Sequence, residues 1–342
     1  MPAFDVGFIK KRLFLHFSSF FLHISKKSSN FAARINKTET IMKKLPILLI
    51  PIVLAFVACG NNNAPELPGV FTVGKNKKVQ FSPGVLKYRA STNTWRFADS
   101  QLDVVGEGNM KISPTYSGWI DLFGYGCTGY NDKYPWQTSD DPADYAPSRN
   151  EGITGSEYDW GTYCDIQNGG PKGSWHLMES YDWYYLLQRR PNARNLATFV
   201  YVDEMPGLVV FPDEWENTTG VNLVFASKGS GGEYEGIYAD RREVSENNRI
   251  SKSQWKKLEK TGAVFLPAVG WRVGQGMSYS TNKSIQLLRE RSYYWLGNVL
   301  YTGAEPWTLQ VDAQMAIVCE TTFFRDKKSN RGFFVRLVKD VK

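Results

Sequence analysis

The chain has little from which to build a reactive centre. Among its 342 residues are three histidines, and only His176 lies outside the first 25 positions. Its four cysteines, Cys59, Cys127, Cys164 and Cys319, include no Cys-x-x-Cys pair. That scarcity excludes a zinc site built on His and Cys spacing. A Ser–His–Asp centre would have to take His176 as its base, and that residue stands at a predicted helix entry, where packing or capping is the simpler role. No segment repeats another, so solenoids and propellers are excluded. An excess of one charge is missing too. The formal net charge is +7. Nine basic and two acidic residues precede Cys59, leaving 32 of each sign after it. The basicity therefore belongs to the beginning of the chain and gives no argument for nucleic acid as a partner.

What stands before Cys59 is ordered. Lys43 and Lys44 form a positive start, residues 45–58 are apolar, and Val57-Ala58-Cys59-Gly60 ends the run in small residues and a cysteine. Fourteen apolar residues fall short of the roughly 20 that span a bilayer as a helix, and Pro46 and Pro51 interrupt them. The order is that of a secretory signal. Its last four residues resemble the lipobox of bacterial lipoproteins. The resemblance implies cleavage before Cys59, diacylglycerol and further acyl chains on that residue, and a place on the bacterial envelope, at the outer membrane. Residues 1–41 are then expected to lie outside the translated product, with a genuine extended leader or an additional membrane segment as the alternative, 42–58 to be the signal and 59–68 a polar tether.

From residue 69 onward the chain reads as folded. All eleven tryptophans follow Cys59. Strand patterns bounded by turn formers occupy 70–73, 78–82, 85–89 and 94–98, then 197–202, 207–211, 221–226, 263–266, 293–301, 308–311, 314–320 and 332–338. Two helices are predicted. Ser180 caps one over 181–190 with Trp183, Leu186 and Leu187 inward. Ser251 and Gln254 form a capping box for another, to about Lys260, with Trp255 and Leu258 inward and Gly262 closing it. Residues 106–173 are rich in Gly, Asp, Tyr and Trp and show no period, so short strands or functional loops are expected inside them. The class is α+β, mostly antiparallel strands with two short helices.

Several aromatic motifs occur in a familiar order. Trp175-His176-Leu177-Met178 precedes Asp182-Trp183-Tyr184-Tyr185-Leu186-Leu187. Gly207-Leu208-Val209-Val210-Phe211-Pro212-Asp213-Glu214-Trp215, Gly262-Ala263-Val264-Phe265-Leu266-Pro267, Tyr293-Tyr294-Trp295 and Gly332-Phe333-Phe334-Val335-Arg336-Leu337 follow. Together they resemble lipoproteins of Bacteroides-type bacteria that carry a Fibrobacter-type major paralogous domain, similar in turn to C-type-lectin-like and formylglycine-generating (sulfatase-modifying) domains. The resemblance implies one C-type-lectin-like domain over 69–342, with long irregular loops that carry binding. It names no ligand and implies no cofactor.

Motif chemistry is thin beside that scaffold. Gly124-Tyr125-Gly126-Cys127-Thr128-Gly129 matches a dinucleotide fingerprint in letters alone, because a loop follows where a helix is needed; a glycine-rich turn is the better reading. Pro212-Asp213-Glu214-Trp215-Glu216-Asn217 gathers oxygen ligands of the kind calcium prefers, but no Glu-Pro-Asn accompanies it, so a solvated acidic turn is expected and no metal site. Cys127 and Cys164, both in irregular stretches, are expected to pair as a disulfide, and Cys319 to be a buried thiol. Trp136, Trp307, Arg325, Asp326 and Asn330 are the candidate ligand-binding residues: rigid rings beside adaptable polar groups. Tyr130, Tyr134, Trp136 and Tyr145 could stack on sugar rings, but the preferred reading is that they staple a long loop to the core. The expected work is non-enzymatic binding of a glycan or a surface protein. The alternatives are an enzyme of sulfatase-modifying or glycan-hydrolase type and a structural envelope protein.

Overall fold

The computed structural model describes residues 66–147, 152–225, 227–229, 235–239, 243–278, 291–299, 305–320 and 331–342. All of them fall in one compact unit, Asn62–Lys342. Cys59, Arg325, Asp326 and Asn330 lie outside the described residues. The architecture is α+β, with mostly antiparallel strands and a few short helices. No helix among the described residues is long and apolar enough to cross a membrane.

The two ends of the described chain meet in one sheet. Phe71–Gly74 and Lys77–Phe81 form a hairpin, and Val338–Asp340 pairs with its second strand. Phe71, Val73, Val79 and Phe81 point inward while their neighbours are more exposed, the two-residue period of a half-buried sheet. A second sheet sets Ala197–Val202 between Met205–Val210 and a short parallel strand, Arg249–Ile250, with Val264–Pro267 beyond Met205–Val210. Every residue of Ala197–Val202 is buried, which is why that strand reads as a continuous apolar run. A third sheet runs Arg291–Val299, Pro306–Asp312, Met315–Glu320, Glu235–Ala239, Ser227–Gly229. Leu86–Arg89 with Thr94–Phe97, and Trp271–Val273 between Gly276–Ser278 and Arg331–Gly332, complete the sheets.

Both predicted helices form, with one cap corrected. Ser251 and Gln254 make the expected capping box for Lys252–Glu259; Trp255 and Leu258 are buried, and Gly262 takes a φ of +89° just past the end. In the other helix Glu179, not Ser180, is the cap. Its carboxylate and that of Asp182 exchange bonds with each other's backbone N–H, and the helix Ser180–Tyr184 widens into a π-turn over Tyr185–Arg189. The expected strand at 221–226 is also corrected: its described residues, 221–225, are irregular. Trp183, Trp255 and Trp295 are each 1% exposed, core residues as expected.

The described residues of the irregular stretch 106–173 alternate exposed positions with deeply buried ones. Tyr125, Cys127 and Trp160 are fully enclosed, and Tyr125 packs on the Trp295 ring, centres 5.1 Å apart. Its order comes from side chains that bond backbone. Asn109 accepts from the N–H groups of Asp121 and Leu122 and donates to Gly106 O and Asp121 Oδ1. Asp159 accepts from Gly155, Gly161 and Leu177 N–H, each at 3.0 Å. Asn168 holds both backbone groups of Phe97. The Gly124–Gly129 segment is a turn, with Gly126 and Gly129 at φ +63° and +98°.

Candidate functional site

At the end of Met205–Val210 the chain leaves the sheet through Phe211 and Pro212 and turns through Asp213, Glu214 and Trp215. Trp215 N–H donates to Pro212 O at 3.2 Å, closing the turn. Asp213 fixes it to the terminal hairpin. Its amide donates to Val70 O, and its carboxylate accepts from Thr72 N–H, the Thr72 hydroxyl and Arg190 Nη1. Arg190 is buried and also donates to Leu186 and Leu196 carbonyls. Burial lowers its pKa to about 10, partly offset by Asp213. The Asp213 carboxylate is therefore spent on the scaffold. Gly69 and Gly262 meet so closely that a Cβ on Gly69 would fall 2.5 Å from Gly262 O.

This framework opens a cleft of about 450 Å³. Pro68, Gly69 and Val70 form one side and the Pro212–Glu216 turn the other, with Lys78, Thr218 and Thr261 at the margins. Trp215 rests against Phe211, ring centres 3.9 Å apart, and its indole N–H is buried without a partner. Glu214, Glu216 and Lys78 are exposed beside it. A partly exposed ring flanked by two acceptors and an ammonium donor suits an amphipathic, hydroxyl-bearing ligand. The segment expected to be a solvated acidic turn does expose Glu214 and Glu216, and it also forms one wall of this cleft. Its sequence signal was the gathering of acids around a tryptophan; the close approach of residues 68–70, which makes it concave, has no local signature.

The residues singled out in the sequence scatter. Trp136 is half-buried and stacked on Tyr134, planes 7° apart, and on Tyr88, while Tyr145 is buried with its hydroxyl donating to Ser139 O. These rings staple the loop to the core. Trp307 is half-buried on Pro306–Asp312 and packs on the core cluster under the terminal hairpin, whereas Trp136 packs on the cluster under the loops. The structure does not bring the two together.

The expected disulfide is not formed. Cys127 and Cys164 are separate buried thiols. Cys164 Sγ donates to Thr128 O at 3.7 Å, and burial raises its pKa well above the ordinary thiol value. Cys127 lies against Gly124, and burial pushes it up to about 12 although Arg272 is near. The two cysteines stand on adjoining segments, yet both sulfurs are buried and held as thiols rather than as the thiolates that exchange and oxidise. Cys319 is a buried thiol beside the Thr308 hydroxyl, as expected. His176 pairs its backbone with Val338, and its ring lies 3.2 Å from Asp340. Among the described residues no group of three or more His, Cys, Asp and Glu is placed to hold a metal ion.

Three carboxyls are raised in pKa, Asp121 to about 6, with Asp159 and Asp312 also displaced upward. Desolvation by burial leads in each case, opposed by hydrogen bonds to the carboxylate. None of the three lines the cleft. Compared with protein-family models, curated proteins and solved structures, the chain matches none of them.

Proposed function

We propose that this chain is a lipid-anchored binding protein of a bacterial envelope, held at the outer membrane through Cys59, whose C-type-lectin-like domain takes a glycan in the Trp215 cleft. The observation that carries the reading is the Trp215 ring set between exposed Glu214 and Glu216 and within the same cleft as Lys78. Sugar rings present apolar faces to indole and hydroxyls to carboxylate and ammonium. The reading is supported by the α+β class, mostly antiparallel sheets with few short helices, which a C-type-lectin-like domain shares.

Binding is preferred to hydrolysis on a positional argument. A glycosidase acid needs a carboxyl raised in pKa at the cleft. The raised carboxyls here, Asp121, Asp159 and Asp312, are buried and accept from the backbone N–H groups of Val105, Leu177 and Met315.

A glycan array probed with the full chain in detergent tests the reading, alongside Trp215→Ala and Glu214→Gln/Glu216→Gln. The wild type should retain a defined set of glycans and both variants should lose it. Unchanged retention by both variants removes the ligand from this cleft, and turnover of a retained glycan overturns the non-enzymatic reading. Cys59→Ala should move the protein from the membrane to the soluble fraction; an unaltered membrane fraction contradicts the anchor.

A further inference from the structure

We propose that a second cleft, in the irregular half of the domain, binds a single neutral sugar ring. It encloses about 290 Å³ and shares no lining residue with the Trp215 cleft. That volume sits at the lower limit of small-molecule cavities, about 300 Å³, and so admits one ring rather than an extended chain.

The floor of the cleft is committed to the fold. Trp95, Thr128 and Cys164 are buried there. The Thr128 hydroxyl donates to Glu157 O and accepts from Tyr130 N–H, and the Cys164 thiol donates to Thr128 O. The rim is uncommitted. Asn93, at φ +46°, spends its Oδ1 on the Tyr88 hydroxyl and keeps its amide N–H groups. Asp165 and Gln167 follow the short helix Trp160–Tyr163 as exposed residues, and neither side chain bonds to a described residue. Lys172 places its ammonium 4.9 Å from the centre of the Tyr163 ring and has no carboxylate partner among the described residues.

These groups divide the hydrogen-bonding roles. Asp165 only accepts, Lys172 only donates, the Asn93 amide donates, and Gln167 does both. Hydroxyls of a sugar ring donate and accept at once and satisfy all four. An anion would meet Asp165 and a cation Lys172, each a like charge at close range. The site is built by three segments, residues 93–95, 128–129 and 163–172, that only the packed loop brings together.

Saturation-transfer NMR of the full chain in detergent micelles tests this with methyl glycosides of a hexose, a deoxyhexose and an N-acetylhexosamine. Hydrogen–deuterium exchange over residues 163–172 is the local reporter, with the sheet strand 197–202 as internal control. At least one glycoside should bind and slow exchange over 163–172 severalfold while leaving 197–202 unchanged. Asp165→Ala/Gln167→Ala and, separately, Lys172→Met should weaken that binding about tenfold or more, a loss of about 1.4 kcal/mol. All three residues are exposed, so melting should hold. Glu214→Gln/Glu216→Gln should leave this binding unchanged. Binding that neither slows exchange over residues 163–172 nor weakens in either rim variant overturns the site. So does failure of every glycoside to bind, even where the array finds a ligand for the Trp215 cleft. Loss in the Glu214/Glu216 variant alone assigns the sugar to that cleft and keeps the first reading while removing this one.

Discussion

Two parts of the domain satisfy their buried backbone by different means. In the sheet around Ala197–Val202, backbone groups pair with backbone, and apolar side chains fill the space on both faces. In the irregular stretch 106–173, polar side chains do the pairing. Asn109, Asp121, Asp159 and Asn168 are all buried there, and their bonds to backbone groups take the place of a ladder. Arg272 reaches in from the strand Trp271–Val273 and donates to the carbonyls of Leu122, Gln137 and Gly274. It is fully buried, and desolvation lowers its pKa to about 10. The lesson is that long irregular chain packs like a core when buried polar side chains satisfy its backbone.

The comparison breaks first at Arg272. Arg272→Ala leaves three carbonyls without their donor in a closed interior and should cost about 3–5 kcal/mol, read as a fall in the denaturation midpoint. Leu266→Ala, in the sheet, should cost about 3 kcal/mol through its cavity alone. Finding the two reversed would show the loop to be the softer half.

A pH series sharpens the contrast further. The Asp121 carboxyl has a folded pKa of about 6 against an ordinary 3.8, with burial as the leading cause. The folded state therefore holds a proton that the unfolded state releases between those values. Its contribution is fully present below the ordinary value and is lost as pH rises through about 6, amounting to roughly 2–3 kcal/mol across the window. Asp121→Asn removes the titration and should flatten the stability curve between pH 4 and 6. An unchanged slope would show that Asp121 does not retain the proton. The smallest effect is expected at Ser251→Ala, which removes a cap from Lys252–Glu259 and should cost about 1 kcal/mol by thermal melting.

The sheet half was legible in sequence for the reason it is stable. Apolar alternation in 71–81, the continuous run of 197–202 and the Ser251–Gln254 capping box are local patterns, and each formed where expected. The loop half was not legible, because its bonds join residues far apart in the chain. Arg272 meets Leu122 across 150 positions, and Asn168 meets Phe97 across 71. The same distance hid the clefts. Glu214, Trp215 and Glu216 were visible as a cluster, but the approach of residues 68–70 that makes the cluster concave was not. Cys127 and Cys164 looked alike in composition, and their segments do meet, through Trp160 Nε1 to Cys127 O and Cys164 Sγ to Thr128 O, but the sulfurs stay separate thiols. Trp136 looked like a ligand platform because exposed and stapling aromatics share one sequence appearance; its stacking on Tyr88 and Tyr134 shows the staple.

The most direct test of the account is hydrogen–deuterium exchange of the full chain with and without a glycan retained on the array. The account predicts that added glycan slows exchange in peptides covering residues 68–70 and 212–218 and leaves the sheet strand 197–202 unaltered. Slowed exchange elsewhere with none at residues 212–218 would contradict it.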